Sequence, residues 1–151
     1  MSDAPASGCH AEASVELPVG PEAAWAAVVD WDAQSAWMVL TRVRATAQDG
    51  QGVGGGVAAR TSVGPFGFTD HMVITHWDPP RECTVKHLGT VVSGTGTFAV
   101  SPTATGSRFT WSEDVVPPLG RVGRLGWAVV RPGFELTMRI SLRRLAKVVA
   151  A

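Results

Sequence analysis

The spacing of apolar residues changes sharply near residue 39 of this 151-residue chain, and that change constrains the fold more than any other feature. Before it, apolar side chains recur at helical spacing. After it, they recur at every second position through six successive segments, and a helical stripe then closes the chain. Alternation at a period of two places one face of each segment on a core, whereas spacings of three and four place one side of a helix there.

Residues Glu12–Val19 alternate weakly and read as a first strand. Pro21 opens a helix, with Gly20 before it and Glu22 in its first turn. Trp25, Val28 and Val29 form its apolar stripe, among helix-favouring alanines. Asp30–Met38 reads as a second short helix, capped by Asp30 or Asp32. The alternating segments are Val39–Ala47, Gly54–Val63, Gly67–Trp77, Glu82–Leu88, Thr90–Val100 and Ser107–Val115. Turn signals separate them at Asp49-Gly50, Gly64-Pro65, Asp78-Pro79-Pro80, Leu88-Gly89 and Ser101-Pro102. Such short connections favour antiparallel neighbours.

At the end of the chain Phe134, Met138, Leu142, Leu145 and Val149 share one helical face, with Arg139, Arg143, Arg144 and Lys147 on the other. Upstream, Leu119–Val130 holds three glycines and reads as either a looser start of that helix or a loop. Pro132 is expected to break or kink the junction. The predicted class is α+β: a curved antiparallel sheet of about seven strands gripping a long C-terminal helix, with two short helices after the first strand. A strongly curved sheet cannot touch a straight helix everywhere, so an internal cavity is expected between them. Residues 1–10 read as a disordered tail and 11–151 as one ligand-binding domain.

Six tryptophans and no tyrosine accompany 17 glycines. A core of this size is filled by one or two such rings, so six point to a wall around an apolar or flat molecule. Lys+Arg and Asp+Glu are both 13, which leaves no net charge and argues against nucleic acid as a partner. Cys9 and Cys83 cannot make a disulfide framework and read as reduced thiols in a cytoplasmic protein. No apolar run is long enough to span a membrane, and the first residues lack the basic and apolar regions of a signal peptide. Monomer and homodimer are both open.

Alternation sorts the strand residues. Phe68, Met72 and Ile74 share a face with Asp70; Cys83 and Val85 share one with His87. Val92, Gly94, Gly96, Phe98 and Val100 form the inner set of their strand, and Phe109, Trp111, Glu113 and Val115 that of theirs. A tight turn at Leu88-Gly89 would pair His87 with Thr90, Val85 with Val92 and Cys83 with Gly94. The inward polar set is Asp70, His87 and Glu113. Arg60 joins it or leaves it with a one-residue change in the Gly64–Gly67 turn. The candidate ligand-binding residues are Trp37, Phe68, Met72, Ile74, Val85, His87, Gly94, Gly96, Phe98, Trp111, Glu113, Trp127, Phe134 and Met138. Trp25, Trp31 and Trp37 are also suited to setting the helices against the sheet, and Trp127 to flanking an entrance.

Several motifs reduce to simpler readings. Gly50-x-Gly52-x-x-Gly55 matches a dinucleotide fingerprint by letters, but strand-like residues follow where that fingerprint needs a helix. His71 and His76 fall on opposite faces of one strand, and no zinc-ligand spacing appears, so neither metal nor cofactor is expected. His87 with Asp70 or Glu113 has the composition of an acid–base pair, and equally of a structural histidine held by a carboxylate. No nucleophile motif accompanies them, and Cys83 reads as a small core residue.

The element order, with Trp37 after the first helices, "THWDPPRECTVKHLG" and "GTGTFAV…GSRFTWSEDV", resembles the START-like (SRPBCC) superfamily over roughly residues 11–149, in its actinobacterial polyketide cyclase/dehydrase branch. The resemblance implies the helix-grip fold of the birch-pollen allergens and an apolar ligand such as a lipid, hormone or aromatic polyketide. In members that are aromatases/cyclases, an arginine and polar pocket residues steer closure of a poly-β-keto chain. Arg60 is the position here that could take the arginine role, with His87 and Asp70 or Glu113 moving protons; the tyrosine such cyclases often use has no counterpart. Self-resistance, by sequestering a reactive natural product or being cleaved by it, is a further implied role, and an interaction module without a cavity is another reading.

Overall fold

In the computed structural model, residues 9–89 and 93–151 are described below. Seven strands form one antiparallel sheet: β1 (His10–Leu17), β2 (Thr41–Ala45), β3 (Gly56–Val63), β4 (Phe66–Asp78), β5 (Glu82–Leu88), β6 (Ser93–Thr103) and β7 (Gly106–Val115). Their order across the sheet is β1-β7-β6-β5-β4-β3-β2, a meander whose first strand closes back on its last. Helix α1 (Pro21–Val28) and a 3-10 turn (Trp31–Ala36) carry the chain from one sheet edge to the other. Helix α2 (Gly120–Ala150) lies in the concave face of the curled half-barrel. This is the helix-grip arrangement expected from the period changes.

The core sits between the second half of α2 and the sheet. Met138, Leu142 and Leu145 are fully buried in one core cluster with Ala11, Ala13, Val100 and Phe109. Each such side chain contributes roughly 1.5–3 kcal/mol by leaving water. Ser141 lies on the same buried face: its hydroxyl donates to the Thr137 carbonyl at 2.8 Å and accepts the Val39 amide at 3.0 Å. One helix residue thereby ties α2 to the chain entering β2.

The structure departs from the sequence-based expectations at identifiable places. Residues 1–8 of the expected tail lie outside the described residues, but Cys9 is buried and His10 already opens β1, because the Cys9 carbonyl accepts the Val115 amide. Pro102, expected in a turn, lies inside β6. The Val100 amide points toward Arg81, on the β5 side, so the nitrogen of Pro102 points that way too, past the end of β5. No ladder bond is lost there. The β5–β6 pairing differs by four residues from a tight turn: His87 faces Gly94, Val85 faces Gly96 and Cys83 faces Phe98. Thr90 and Val92, given inner or paired positions above, lie outside the described residues. An even slip preserves faces, which is why the inward set survives it.

Trp77 breaks the alternation of β4 because the register shifts between Ile74 and His76. The extra residue, Thr75, turns Trp77 to the same side as Cys83, where its ring meets Trp25 edge-on at 5.1 Å. Pro132 does not interrupt α2, which runs through it, and Leu119–Val130 belongs to the helix from Gly120 onward. Its first half is exposed around most of its circumference, with Val122, Leu125 and Val129 in solvent.

Two glycines on this frame have opposite roles. Gly94 adopts φ +108°, and a Cβ there would collide with the backbone oxygen of Asp114. Gly126 is an exposed α2 residue with open space around the Cβ position. Gly94→Ala is expected to lower unfolding free energy by about 2 kcal/mol or more. Gly126→Ala is expected to raise it by about 0.5–1 kcal/mol. Urea denaturation of the two variants checks both signs.

Candidate functional site: a cavity with one polar cluster

Between the concave sheet and the first half of α2 lies a cavity of about 420 Å³. Its floor is built by inward positions of six strands: Thr41 and Val43 of β2; Val57, Ala59 and Thr61 of β3; Phe68, Asp70 and Met72 of β4; Cys83, Val85 and His87 of β5; Gly96 and Phe98 of β6; Trp111, Glu113 and Val115 of β7. Trp31 and Gln34 of the 3-10 turn close one end, and Gly123, Trp127, Val130 and Phe134 of α2 form the roof. Phe68, Pro118 and Val130 are exposed as well as lining, so the mouth lies at their end.

The rings form a connected chain. Trp127 meets Phe134 at 5.8 Å, Phe134 meets Trp111 at 6.3 Å, Trp111 meets Phe98 at 6.1 Å, and Phe98 stacks on Trp31 at 6.1 Å. Two of these contacts are edge-to-face, one is tilted and one stacked, and together they hold each ring by its neighbours. Trp31 is fixed further by donating its indole N–H to the Gly50 carbonyl at 2.8 Å.

Ten of the expected ligand-contacting residues lie on this wall: Phe68, Met72, Val85, His87, Gly96, Phe98, Trp111, Glu113, Trp127 and Phe134. Four do not. Trp37 packs behind the wall on Phe109, with ring centres 6.4 Å apart, and Ile74 and Met138 are fully buried core. Gly94 lies beyond the wall, under the Asp114 backbone. Trp31 and Gln34, in a 3-10 turn, and Met38, in the bend just after it, were missed because neither period applies there. Gln34 is buried and donates to the Val28 carbonyl at 2.6 Å; a glutamine amid apolar residues was the available signal.

Arg60 falls on the opposite side. Val57, Ala59 and Thr61 line the cavity, so alternation sends Arg60 to the convex face, where it is exposed and donates to Thr69 Oγ1 at 3.4 Å. It cannot polarise a carbonyl inside the cavity.

The inward polar residues form one cluster. His87 Nδ1 lies 2.6 Å from Asp70 Oδ2, and Nε2 lies 2.8 Å from Glu113 Oε2. Glu113 Oε1 accepts the Trp111 indole N–H at 2.9 Å. Glu113 on β7 reaches His87 on β5 across the intervening β6. It can do so because a Cβ on Gly96 would lie 2.7 Å from Glu113 Oε1. The glycine that was expected to make room for a ligand makes room for a carboxylate.

Burial alone would push the His87 imidazole down. Hydrogen bonds to Asp70 and Glu113, and the charges of both, outweigh it and raise the value from 6.5 to about 10. The ring is therefore an imidazolium at neutral pH, with both N–H groups committed. It is poorly placed to act as a base, since it has no free lone pair. Burial, with the nearby Glu82 charge, pushes the Cys83 thiol up to about 12, so it stays protonated.

Because His87 holds its proton more tightly folded than unfolded, its contribution to stability is complete below about pH 6.5 and is lost as pH rises through about 10. The unfolding free energy of the wild type relative to His87→Gln is expected to fall across that window, by on the order of a few kcal/mol. Urea titrations of both proteins at pH 6, 8 and 10 measure that difference; a constant gap would contradict a charged His87 in the cluster.

Comparisons with known proteins place this architecture. A search of curated protein sequences finds no significant match. Solved structures share the fold at low identity. TTHA0849 from Thermus thermophilus superposes with a TM-score of 0.78 at 14% identity, covering 93% of this chain and 97% of the other. A Rhodobacter sphaeroides protein gives 0.73 at 19%, covering 97% and 95%. CV1439 from Chromobacterium violaceum gives 0.70 at 14%, covering 94% and 98%. The family model described as polyketide cyclase / dehydrase and lipid transport matches residues 8–150. With nearly its whole length matched and its sheet, helix and cavity in this arrangement, the chain belongs to the polyketide cyclase/dehydrase and lipid transport family.

Proposed function

We propose that this protein binds an apolar small molecule with an aromatic or polycyclic body in the cavity between the sheet and α2. The observation that carries the reading is the wall itself. A 420 Å³ space is bounded by connected aromatic rings and aliphatic side chains, with its charged groups gathered in one cluster. Sites for small organic ligands have this composition: an apolar enclosure and a few placed polar groups. Flat rings gain most from it, because edge-to-face and stacked contacts with Trp31, Phe98 and Trp111 are available along one side. The matched family, described by cyclisation, dehydration and lipid transport, is one of hydrophobic ligands. Binding is favoured over the cyclase reading because Arg60 is outside the cavity and both nitrogens of His87 are engaged.

Filling the cavity should abolish binding without unfolding the chain. Ala59→Trp places a ring into the space from the middle of β3. It is expected to weaken binding of a neutral polycyclic probe such as fluorenone by more than tenfold, followed by quenching of intrinsic tryptophan fluorescence. The thermal midpoint should change by only a few degrees, about what 1 kcal/mol produces. Equal quenching of wild type and variant would place the probe elsewhere and count against the reading.

A further inference from the structure

The cavity wall carries several polar atoms besides the charged cluster. Most are spoken for. Trp31 and Trp111 donate to Gly50 and Glu113, Gln34 donates to Val28, and Thr41 donates to the Val39 carbonyl and meets Thr61. Two buried atoms on the wall remain without a partner: Asp70 Oδ1 and Trp127 Nε1. One can only accept a hydrogen bond and the other can only donate one. They come from opposite sides, Asp70 from β4 on the floor and Trp127 from α2 on the roof. Buried polar atoms are rarely left in this state unless a molecule from outside completes them.

The charge of the floor narrows the class of that molecule. Two carboxyl groups and one imidazole share two protons across the hydrogen bonds at 2.6 and 2.8 Å. Wherever those protons sit, the three groups together carry one negative charge. Among the described residues, the wall holds no lysine or arginine. An anionic ligand group would enter this low-dielectric space with no cation to meet it, whereas a donor would find Asp70 Oδ1 without a partner.

Resting on the cavity reading above, we propose that Asp70 and Trp127 are the specificity residues of the site. They select an aromatic ligand that presents a hydrogen-bond donor, hydroxyl or ammonium, to Asp70 and an acceptor, such as a carbonyl, to Trp127. The same arrangement rejects carboxylate amphiphiles, fatty acids included, although an apolar cavity of this volume would hold their tails. The chemistry shared by a phenol and an ammonium is the donated proton; a neutral donor gains the hydrogen bond alone, and a cation gains the negative cluster as well.

Calorimetric titration of the full chain at pH 7 with four probes on one ring system tests this: 2-methylnaphthalene, 2-naphthol, 2-naphthylmethylamine and 2-naphthoate. At least one donor probe is expected to bind ten times more tightly than 2-methylnaphthalene, and 2-naphthoate ten times more weakly. The naphthol and amine arms distinguish a neutral from a cationic ligand group. Asp70→Asn should erase the preference for the amine and narrow the deficit of naphthoate. Trp127→Phe, which keeps a ring in the roof, should weaken 6-acetyl-2-naphthol at least fivefold more than it weakens 2-naphthol, and equal losses for the two would overturn the role of the indole N–H. Naphthoate binding as tightly as 2-methylnaphthalene, or all four probes binding alike, overturns this assignment while leaving the cavity reading standing. Binding of none of the four overturns both.

Discussion

The concave side of this sheet is organised by a charged histidine held between two carboxylates on different strands. Asp70, His87 and Glu113 come from β4, β5 and β7, and the network passes over β6 at Gly96, where it meets no side chain. Groups of this kind are costly to bury singly and tolerable together, because each donor has an acceptor. The cluster consequently fixes more than its own geometry. It sets the position of Trp111 through the indole hydrogen bond, and Trp111 in turn positions Phe98 and Phe134. The aromatic part of the wall is thus tied to a polar point.

Much of this was legible in the chain. Period-two alternation placed Asp70, His87 and Glu113 on one face without knowledge of register, because any even slip leaves faces unchanged. That tolerance explains how a four-residue error at the β5–β6 connection did no harm to the site. It also explains why Arg60 stayed ambiguous: its side depended on an odd or even turn length, which alternation does not report. The observed β3–β4 register settles it outward. Where the chain leaves a regular period, legibility ended. Trp31 and Gln34 sit in a 3-10 turn and line the cavity, while Trp37, three residues beyond Gln34, turns away into the core. The bulge at Thr75 is likewise silent in a pattern of alternate residues, except as the misplaced Trp77.

The six tryptophans therefore divide by partner rather than by count. Trp25 and Trp77 lock α1 to β4, and Trp37 backs Phe109. Trp31, Trp111 and Trp127 face the space. The first two of these have their N–H groups satisfied by the protein, and the third does not. Aromatic content alone argues for an apolar enclosure; the hydrogen-bond inventory separates the rings whose N–H groups the protein satisfies from the one whose N–H it does not.

Pro132 splits α2 into two mechanically unequal parts. Having no amide hydrogen, it leaves the Ala128 carbonyl without its usual intrahelical donor, at the boundary between an exposed half and a buried one. Below that seam, Met138, Leu142 and Leu145 are sunk in the core and share the fate of the whole fold. Above it, the roof can loosen without breaking any strand ladder or uncovering those side chains. The helix turns over the cavity are accordingly held by fewer buried side chains than the turns below the seam, and their local opening is the cheaper event while the sheet keeps its shape.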